Sequence, residues 1–418
     1  MKRKTIAYAA ALLLLSAVPA CLADSNSTEL EANPHLILAV PASDRPLRDL
    51  AADNTEFAFG LYRQLASKEG NLFFSPYSIS EALAMTFAGA EGGTETEMRR
   101  VLNFTLPENV LHPSFYFLRN SLESDPEDQG DFALHIANAL WGQTGHEFLP
   151  CFLDVLEESY AAAMKLVDFS GNPAACVQEI NEWVDEETMG KITRLVSEDV
   201  INSATRLVLT NAIYFKGQWM YPFDDLATTA KPFHLLSGDT ARVETMRITE
   251  HFPTHSGPDY SAVELPYKER RFAMLVVVPY EGCFVDVQDR FNSGFIQGVT
   301  DSLQNANLIL SMPRFRCESS FSLEEALSAM GMSSAFGMMA DFSGMDGLMD
   351  LYISSVLHKA FISVDEYGTE AAAATAVIME KLNGEAAETF RVNRPFLYLI
   401  RDRETDTVLF IGRLLDPA

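Results

Sequence analysis

The stretch that decides the fold is Glu-Tyr-Gly-Thr-Glu-Ala-Ala-Ala-Ala-Thr-Ala-Val-Ile-Met, residues 366–379. Five alanines lie within the six positions from 371 to 376. Because alanine is the strongest helix former, propensity taken alone favours a helix here. Small side chains on both faces, with Gly368 as a pivot, also suit a strand that slides between two existing strands.

Alternation along this stretch is the one local observation that favours a strand. The odd-numbered positions from Thr369 to Met379 carry no charge, whereas the alternate positions include Glu370 and Glu380. A period of two separates a buried face from a solvated one, as a half-buried strand requires. Since helix propensity still favours the other structure, the stretch stays ambiguous until the rest of the chain is considered.

The N-terminus predicts export of the protein. Residues 1–23 comprise a basic start, a short apolar run and a small-residue exit, which is typical of a secretory signal peptide. Cleavage after Ala20 instead of Ala23 would make Cys21 the first residue and open it to lipid attachment, although Pro19 fits a lipoprotein signal poorly. The apolar run is too short to span a bilayer, and no other run is longer, so we predict a secreted protein without a membrane span.

The remainder of the chain predicts one large domain. Residues 24–46 are polar and proline-spaced, which indicates a flexible lead. Residues 47–418 contain no repeat, linker or low-complexity gap that would divide them, so we predict a single domain there.

Charge and cysteine usage exclude several classes of protein. With 58 acidic and 31 basic residues the formal net charge is −27, which argues against nucleic acid, anionic membranes and heparin as partners. The cysteines are too few and scattered for a disulfide-stapled fold. We expect mostly buried free thiols and leave one bridge open among Cys21, Cys151, Cys176, Cys283 and Cys317.

Enzyme signatures are missing from the sequence. It contains no Gly-x-Ser-x-Gly, no His-Glu-x-x-His, no phosphate-binding loop and no dinucleotide fingerprint. His251 and His255 have the spacing of metal ligands on a helix, but Pro253 between them would break that helix. We therefore predict no catalytic residue, no metal and no cofactor.

Hydrophobic patterning predicts an α+β class with a large sheet. Helical spacing covers residues 47–66, 78–87 and 179–188. Strand-length apolar runs dominate the later chain. They cover residues 132–140, 207–215, 272–279, 306–312, 361–364, 396–401 and 407–414.

Four segments in order resemble the serpin family of serine protease inhibitors, over residues 47–417. They are Asn71-Leu-Phe-Phe-Ser-Pro-Tyr-Ser-Ile-Ser80, Thr210-Asn-Ala-Ile-Tyr-Phe-Lys-Gly-Gln-Trp219, His358-Lys-Ala-Phe-Ile-Ser-Val-Asp-Glu366, and Asn393-Arg-Pro-Phe396 with Phe410-Ile-Gly-Arg413. The resemblance implies a large central sheet A, two further sheets, eight or nine helices and an exposed reactive-centre loop at about residues 367–392. It also overturns the helix preference for the alanine-rich stretch.

The resemblance implies a kinetic trap as the activity. In that family a serine protease attacks the loop, and the cleaved loop inserts into sheet A as a new strand while the protease is still covalently attached as an acyl-enzyme. We expect this protein to act in the same way and to be a monomer. We do not expect it to be an enzyme. Insertion would begin at a hinge of small residues, where a charge on the inward face or a proline would block it. This hinge comprises Gly368, Thr369, Glu370, Ala371, Ala372, Ala373, Ala374 and Thr375.

Two groups of side chains are carried over from the family pattern. The first matches a hydrogen-bonded cluster beneath the middle of sheet A, which we call the gate cluster: Ser75, Ser78, Asn211 and His358. The second matches the base of the loop, with Glu366 expected to pair with Arg314: Trp219, Arg314 and Glu366. Tyr367 departs from the acidic residue common there, so we expect a less polar loop base.

Family spacing from Gly368 predicts the scissile bond between Leu382 and Asn383. A large apolar residue before the bond suggests chymotrypsin-like or elastase-like targets. Cleavage after Lys381 is the alternative and would favour trypsin-like proteases. A non-inhibitory serpin, acting as a carrier or chaperone, is the other function that the resemblance leaves open.

Overall fold

The computed structural model describes residues 44–123, 132–162, 164–268, 270–369 and 386–417. Two short 3-10 turns lie at Asp225–Ala227 and Ser334–Phe336. Within the described ranges the chain forms ten α-helices: α1 (Arg45–Leu65), α2 (Pro76–Phe87), α3 (Gly92–Val101), α4 (Glu108–Leu122), α5 (Pro150–Tyr160), α6 (Pro173–Glu187), α7 (Phe284–Asp289), α8 (Ser293–Asp301), α9 (Glu324–Met330) and α10 (Ser343–Asp346).

Strands occupy most of the rest, and dominate the later part of the chain. Those of the first two thirds are β1 (Leu72–Phe74), β2 (Phe132–Gln143), β3 (Lys165–Val167), β4 (Leu207–Gln218), β5 (Thr229–His234), β6 (Thr240–Ser256), β7 (Tyr260–Pro266) and β8 (Phe272–Pro279). Those of the last third are β9 (Gln304–Pro313), β10 (Phe315–Ser322), β11 (Ser355–Val364), β12 (Gly368–Thr369), β13 (Glu388–Arg391), β14 (Phe396–Asp402) and β15 (Val408–Leu414).

The described strands sort into two sheets. Six strands in the order β10-β11-β12-β4-β2-β3 form the sheet that we call sheet A. Nine strands form the second sheet, along the path β1-β15-β14-β8-β7-β6-β9-β13 with β5 paired to β6. β11 and β4 run parallel, whereas β2 is antiparallel to β4.

Helix α2 lies in the core and contacts both sheets, through β2 and β4 on one side and β15 on the other. Ser75 caps it, because its hydroxyl oxygen accepts a hydrogen bond from the backbone N–H of Ser78 at 3.2 Å, and Pro76 suits the first helical position. Every residue of α2 is buried, which its composition of alanine, leucine, methionine and phenylalanine permits. The opposite face of sheet A is covered by α6, whose Val177, Ile180 and Val184 pack there.

The structure confirms the α+β class and the types of the predicted elements, whose bounds shift by a few residues. It corrects the expected number of helices and the expected number of sheets. The described chain has ten α-helices where eight or nine were expected, and two of them, α7 and α10, are only six and four residues long. The two further sheets that were expected are one continuous sheet. They are joined because the 17-residue β6 pairs with β9 along most of its length and with β7 at its end.

Other expectations meet the structure as follows. The four cysteines of the described chain are free thiols, two of them buried. His251 and His255 lie on strand β6, not on a helix. None of the helices in the described ranges is both long and apolar enough to cross a membrane. Helix α1 begins at Arg45, just inside the predicted N-terminal lead, and residues 1–43 lie outside the described residues.

Replacing Leu83 of α2 by alanine should destabilise the fold. Leu83 is 0 % exposed between the two sheets, so Leu83→Ala should lower the free energy of unfolding in urea by about 2–5 kcal/mol through lost burial and a cavity. Leu226, which is 91 % exposed, is the matched control, and Leu226→Ala should change stability little. Equal effects of the two substitutions would contradict this account of the core.

Candidate functional site

The seam between β4 and β11 is where sheet A is open to an additional strand. The two strands pair in parallel from Ser355 opposite Val208 to Ala360 opposite Ile213. Beyond Ala360 they diverge, and β12 occupies the gap, with Thr369 opposite both Gly217 and Val364. The chain that leads to the alanine-rich stretch therefore already begins between the two strands.

Gly368 is required by a close backbone approach at this point. A Cβ atom on residue 368 would lie 2.0 Å from the carbonyl oxygen of Gly217 on β4. No side chain fits there unless β4 moves away. The glycine thus lets the chain turn from β11 into the gap.

Thr369 is bound beneath an aromatic pair. Its hydroxyl lies 2.8 Å from the hydroxyl of Tyr267, and Thr369 is 1 % exposed. Trp219 stacks on Tyr267 with ring centroids 4.7 Å apart, and its indole N–H donates to the carbonyl oxygen of Asp365 at 3.0 Å. The pair fixes the start of the gap and the turn that feeds it.

Glu366 is buried at the base of the loop and is fully engaged. Each of its carboxylate oxygens accepts a hydrogen bond from Nε of Arg314 at 2.7 Å, and Thr228 donates to it through its hydroxyl. The hydrogen bonds to Glu366 raise the pKa of Arg314 above its usual range. Tyr367 donates its hydroxyl to the carboxylate of Asp225, so this side chain too is hydrogen-bonded at the loop base.

The gate cluster residues come together beneath the seam. His358 of β11 lies opposite Asn211 of β4, and its Nδ1 contacts the side-chain oxygen of Asn211 across the seam. Asn211 donates through Nδ2 to the hydroxyl of Ser78. The backbone N–H of Ser75 donates to Nε2 of His358 at 3.3 Å. These bonds tie β4, β11 and the start of α2 together.

His358 is held neutral in one tautomer. Because Nε2 accepts a hydrogen bond from Ser75, the proton resides on Nδ1, which donates to Asn211. Complete burial lowers the pKa of His358 to about 3. A neutral ring is the only form that makes both bonds.

Sequence reasoning missed two members of this arrangement. Asn138 of β2 accepts hydrogen bonds at Oδ1 from Asn211 and from the hydroxyl of Ser78, the latter at 3.4 Å. Tyr267, described above, is the second. A lone asparagine in an otherwise apolar strand was the available signal for Asn138, whereas nothing local marks Tyr267.

A family model described as "Serpin (serine protease inhibitor)" matches residues 52–417, nearly the whole of the described chain. The chain belongs to the serpin family.

Relatives and solved structures support the same family. A serpin-like protein of Thermococcus kodakarensis is 42 % identical over 86 % of this chain and 84 % of its own length. The leukocyte elastase inhibitor of Bos taurus is 38 % identical over 89 % of this chain and all of its own. The crystal structure of human thyroxine-binding globulin with thyroxine has 31 % sequence identity and a TM-score of 0.82, covering 89 % of this serpin and 100 % of that chain. The serpin fold is thereby confirmed.

Several predicted site residues lie outside the part of the chain that the structure describes. The hinge from Glu370 to Thr375 lies outside the described residues, as do Leu382, Asn383 and Lys381. Of the predicted hinge, the structure describes Gly368 and Thr369.

One group of three side chains with metal-ligand chemistry occurs in the described chain: His146, Asp346 and Asp350, whose ligand atoms lie within 4.8 Å of one another. His146 follows the end of β2 that is remote from the hinge, and its Nε2 contacts the carboxylate of Asp346. Two of the three residues are thus already bonded to each other.

Reversing the charge at Glu366 should loosen the loop base. Glu366→Arg leaves Arg314 facing a like charge at a buried position. The half-life of the monomer on warming should fall by roughly tenfold, the effect of about 1.4 kcal/mol. Native gels would follow polymers and loop-inserted monomers, with Glu187→Arg on the exposed end of α6 as control. An unchanged half-life would refute the role assigned to the pair.

The gate cluster should also make stability depend on pH. The folded pKa of His358 is about 3 against 6.5 for a free ring, so between these values the unfolded chain binds more protons. The stability that this ring contributes is therefore present above pH 6.5 and is lost as the pH falls, by about 1.4 kcal/mol per unit. His358→Gln should remove that part of the slope in urea unfolding, while His234→Gln at an exposed position should not. Equal slopes in the native protein and His358→Gln would contradict this.

Proposed function

We propose that this serpin inhibits serine proteases as a suicide substrate. The protease cleaves the reactive-centre loop, and the loop inserts at the seam while the acyl-enzyme is intact. The observation that carries the proposal is β12: Thr369 pairs with both β4 and β11, and Gly368 pairs with β4, so the start of the inserting strand already lies between the two strands. The serpin is expected to act as a monomer.

The energetics favour such insertion. The 14 residues from Thr369 to Leu382 would span on the order of 45 Å as a strand, slightly longer than the neighbouring β4 with its 12 residues. At roughly 0.5–1.5 kcal/mol net per backbone hydrogen bond, their insertion releases about 10 kcal/mol or more. The uninserted form is then held kinetically, by the paired part of the seam and the gate cluster.

We propose Leu382–Asn383 as the reactive bond and chymotrypsin-like or elastase-like enzymes as targets. The leukocyte elastase inhibitor among the relatives, by its name, acts on an elastase, which supports this choice. Cleavage after Lys381 instead would direct the inhibitor to trypsin-like enzymes.

Mixing the protein with chymotrypsin, elastase and trypsin tests both statements. We expect an SDS-stable covalent complex with chymotrypsin or elastase, and a released C-terminal fragment that begins at Asn383 by mass spectrometry. A fragment that begins at Leu382, with a trypsin complex, would move the bond by one residue. If the proteases cleave the loop and none of the three forms a covalent complex, inhibition is refuted. A carrier function would then be favoured, like that of the human globulin that binds thyroxine.

A hinge variant separates insertion from cleavage. Thr369→Arg places a charge where the native side chain is 1 % exposed, so insertion should be blocked while the loop remains a substrate. The cleavage site should be unchanged and the covalent complex lost. Thr389→Arg, at an exposed position of β13, is the matched control and should inhibit normally. Full inhibition by Thr369→Arg would refute insertion at this seam.

We further propose that the protein is secreted, through the signal peptide at residues 1–23. The support is the sequence pattern alone. Mass spectrometry of the mature N-terminus would distinguish cleavage after Ala23 from cleavage before a lipid-bearing Cys21.

A further inference from the structure

A buried carboxylate lies on α2 beside the gate cluster. Glu81 is 0 % exposed and follows Ser78 by three residues, which places it one turn further along the same face. Its Oε2 accepts a hydrogen bond from Nδ2 of Asn138 at 2.7 Å and lies 3.7 Å from Nη1 of Arg119. Taking such a pair out of water costs free energy, which the attraction between the charges offsets only in a good geometry with further hydrogen bonds.

Arg119 of α4 is fixed independently of the carboxylate. It donates through Nη2 to the carbonyl oxygen of Ile136 at 2.9 Å and through Nη1 to that of Tyr160 at 3.2 Å. Its Nε donates to Glu123 at 3.1 Å. The guanidinium is therefore tied to β2 and to the end of α5, and from there it forms the ion pair with Glu81.

The hydrogen bonds that connect the seam to Glu81 all point the same way. In each of them the donor lies on the side of the seam and the acceptor on the side of Glu81. His358 donates to Asn211, Asn211 donates to Asn138, and Asn138 donates to Glu81. An ionised carboxylate can only accept, so, together with the carbonyl oxygen of Ser78 at 3.2 Å, it holds the amide nitrogen of Asn138 toward α2 and the amide oxygen toward Asn211. Hydrogen bonds aligned in this way strengthen one another, and a charged acceptor makes the last bond the strongest.

We propose that Glu81, held by Arg119, is a positioning residue for the seam: its negative charge orients Asn138 and so keeps Asn211 and His358 bonded across β4 and β11. This inference rests on the proposed function, since it concerns how readily the seam admits the loop. When the seam opens, β4 moves together with β2, and Asn138 leaves Glu81. Removing the charge weakens the end of the chain of hydrogen bonds and speeds opening.

The charge of Glu81 changes near neutral pH. Burial raises the pKa of Glu81 to about 7, against the lowering effect of Arg119. The other titratable groups that face it are Glu123 from α4, Tyr160 from α5 and Tyr77 from its own helix. His358, with a pKa of about 3, stays neutral in this range. Since the charge of Glu81 keeps the seam closed in this proposal, protonation should act as removal of the charge does, and opening should be faster below pH 7.

Insertion of a free peptide measures seam opening without any protease. A synthetic peptide that copies residues 369–382 is incubated with the purified full-length protein, and its incorporation is followed by native gels and by the melting temperature. Glu81→Gln, which keeps the shape and removes the charge, should incorporate the peptide roughly tenfold faster than the native protein. Glu264→Gln is the matched control, because Glu264 is 1 % exposed and bonded to Arg401 at 2.8 Å in the second sheet, away from the seam.

Two further measurements test the route through Asn138. The incorporation rate of the native protein should rise as the pH falls through about 7, whereas that of Glu81→Gln should be flat. Adding Glu81→Gln to Asn138→Ala should give no further acceleration, since both remove the same link. Should Glu81→Gln fail to fold, the pH profile of the native protein decides.

The outcomes separate this inference from the proposed function. Equal acceleration by Glu81→Gln and Glu264→Gln would overturn the inference, since it would indicate general loosening of the fold. A flat pH profile of the native protein would overturn it as well. Failure of the native protein to take up the peptide at all would overturn the proposed function, and the inference with it.

Discussion

The contact between His358 and Asn211 across β11 and β4 is the interaction on which the rest of the structure depends. It joins the two strands that must separate for sheet A to gain a strand, and it lies in the middle of their paired length. Both ring nitrogens of His358 are engaged, one by Asn211 and the other by the backbone of Ser75. A buried polar group that loses its partner costs roughly 1–3 kcal/mol, so the seam has a barrier to opening although its backbone pairing is short.

The loop base and the gate cluster act at different points of the same seam. At the base, Gly368 approaches the backbone of Gly217 and Thr369 bonds to Tyr267, so these two residues already lie between β4 and β11. Further down, the strands are still paired to each other. Under the proposed mechanism, the uninserted form would persist because the strands separate slowly.

The remainder of the fold supplies a rigid frame for this arrangement. Every residue of α2 is buried between the sheets, and the central strands β8 and β15 of the second sheet are buried along their full length. Because such a core is close-packed, conformational change is concentrated where polar side chains take the place of apolar ones. In sheet A that place is the seam, with Asn138, Asn211 and His358 beneath it.

The sequence by itself determined the α+β class, most elements and the serpin family, because apolar periodicity and ordered motifs are local properties. It also identified Glu366 and Arg314 as partners through the resemblance alone. Only the tertiary structure decided that Gly368 and Thr369 form a strand, since that strand exists through pairing with β4, a distant segment of the chain, and with β11. Likewise, Asn138 and Glu81 are 57 residues apart and meet only because β2 crosses α2 in the core. A hydrogen bond between distant segments leaves no pattern in either of them, so no reading of the chain alone could have found it.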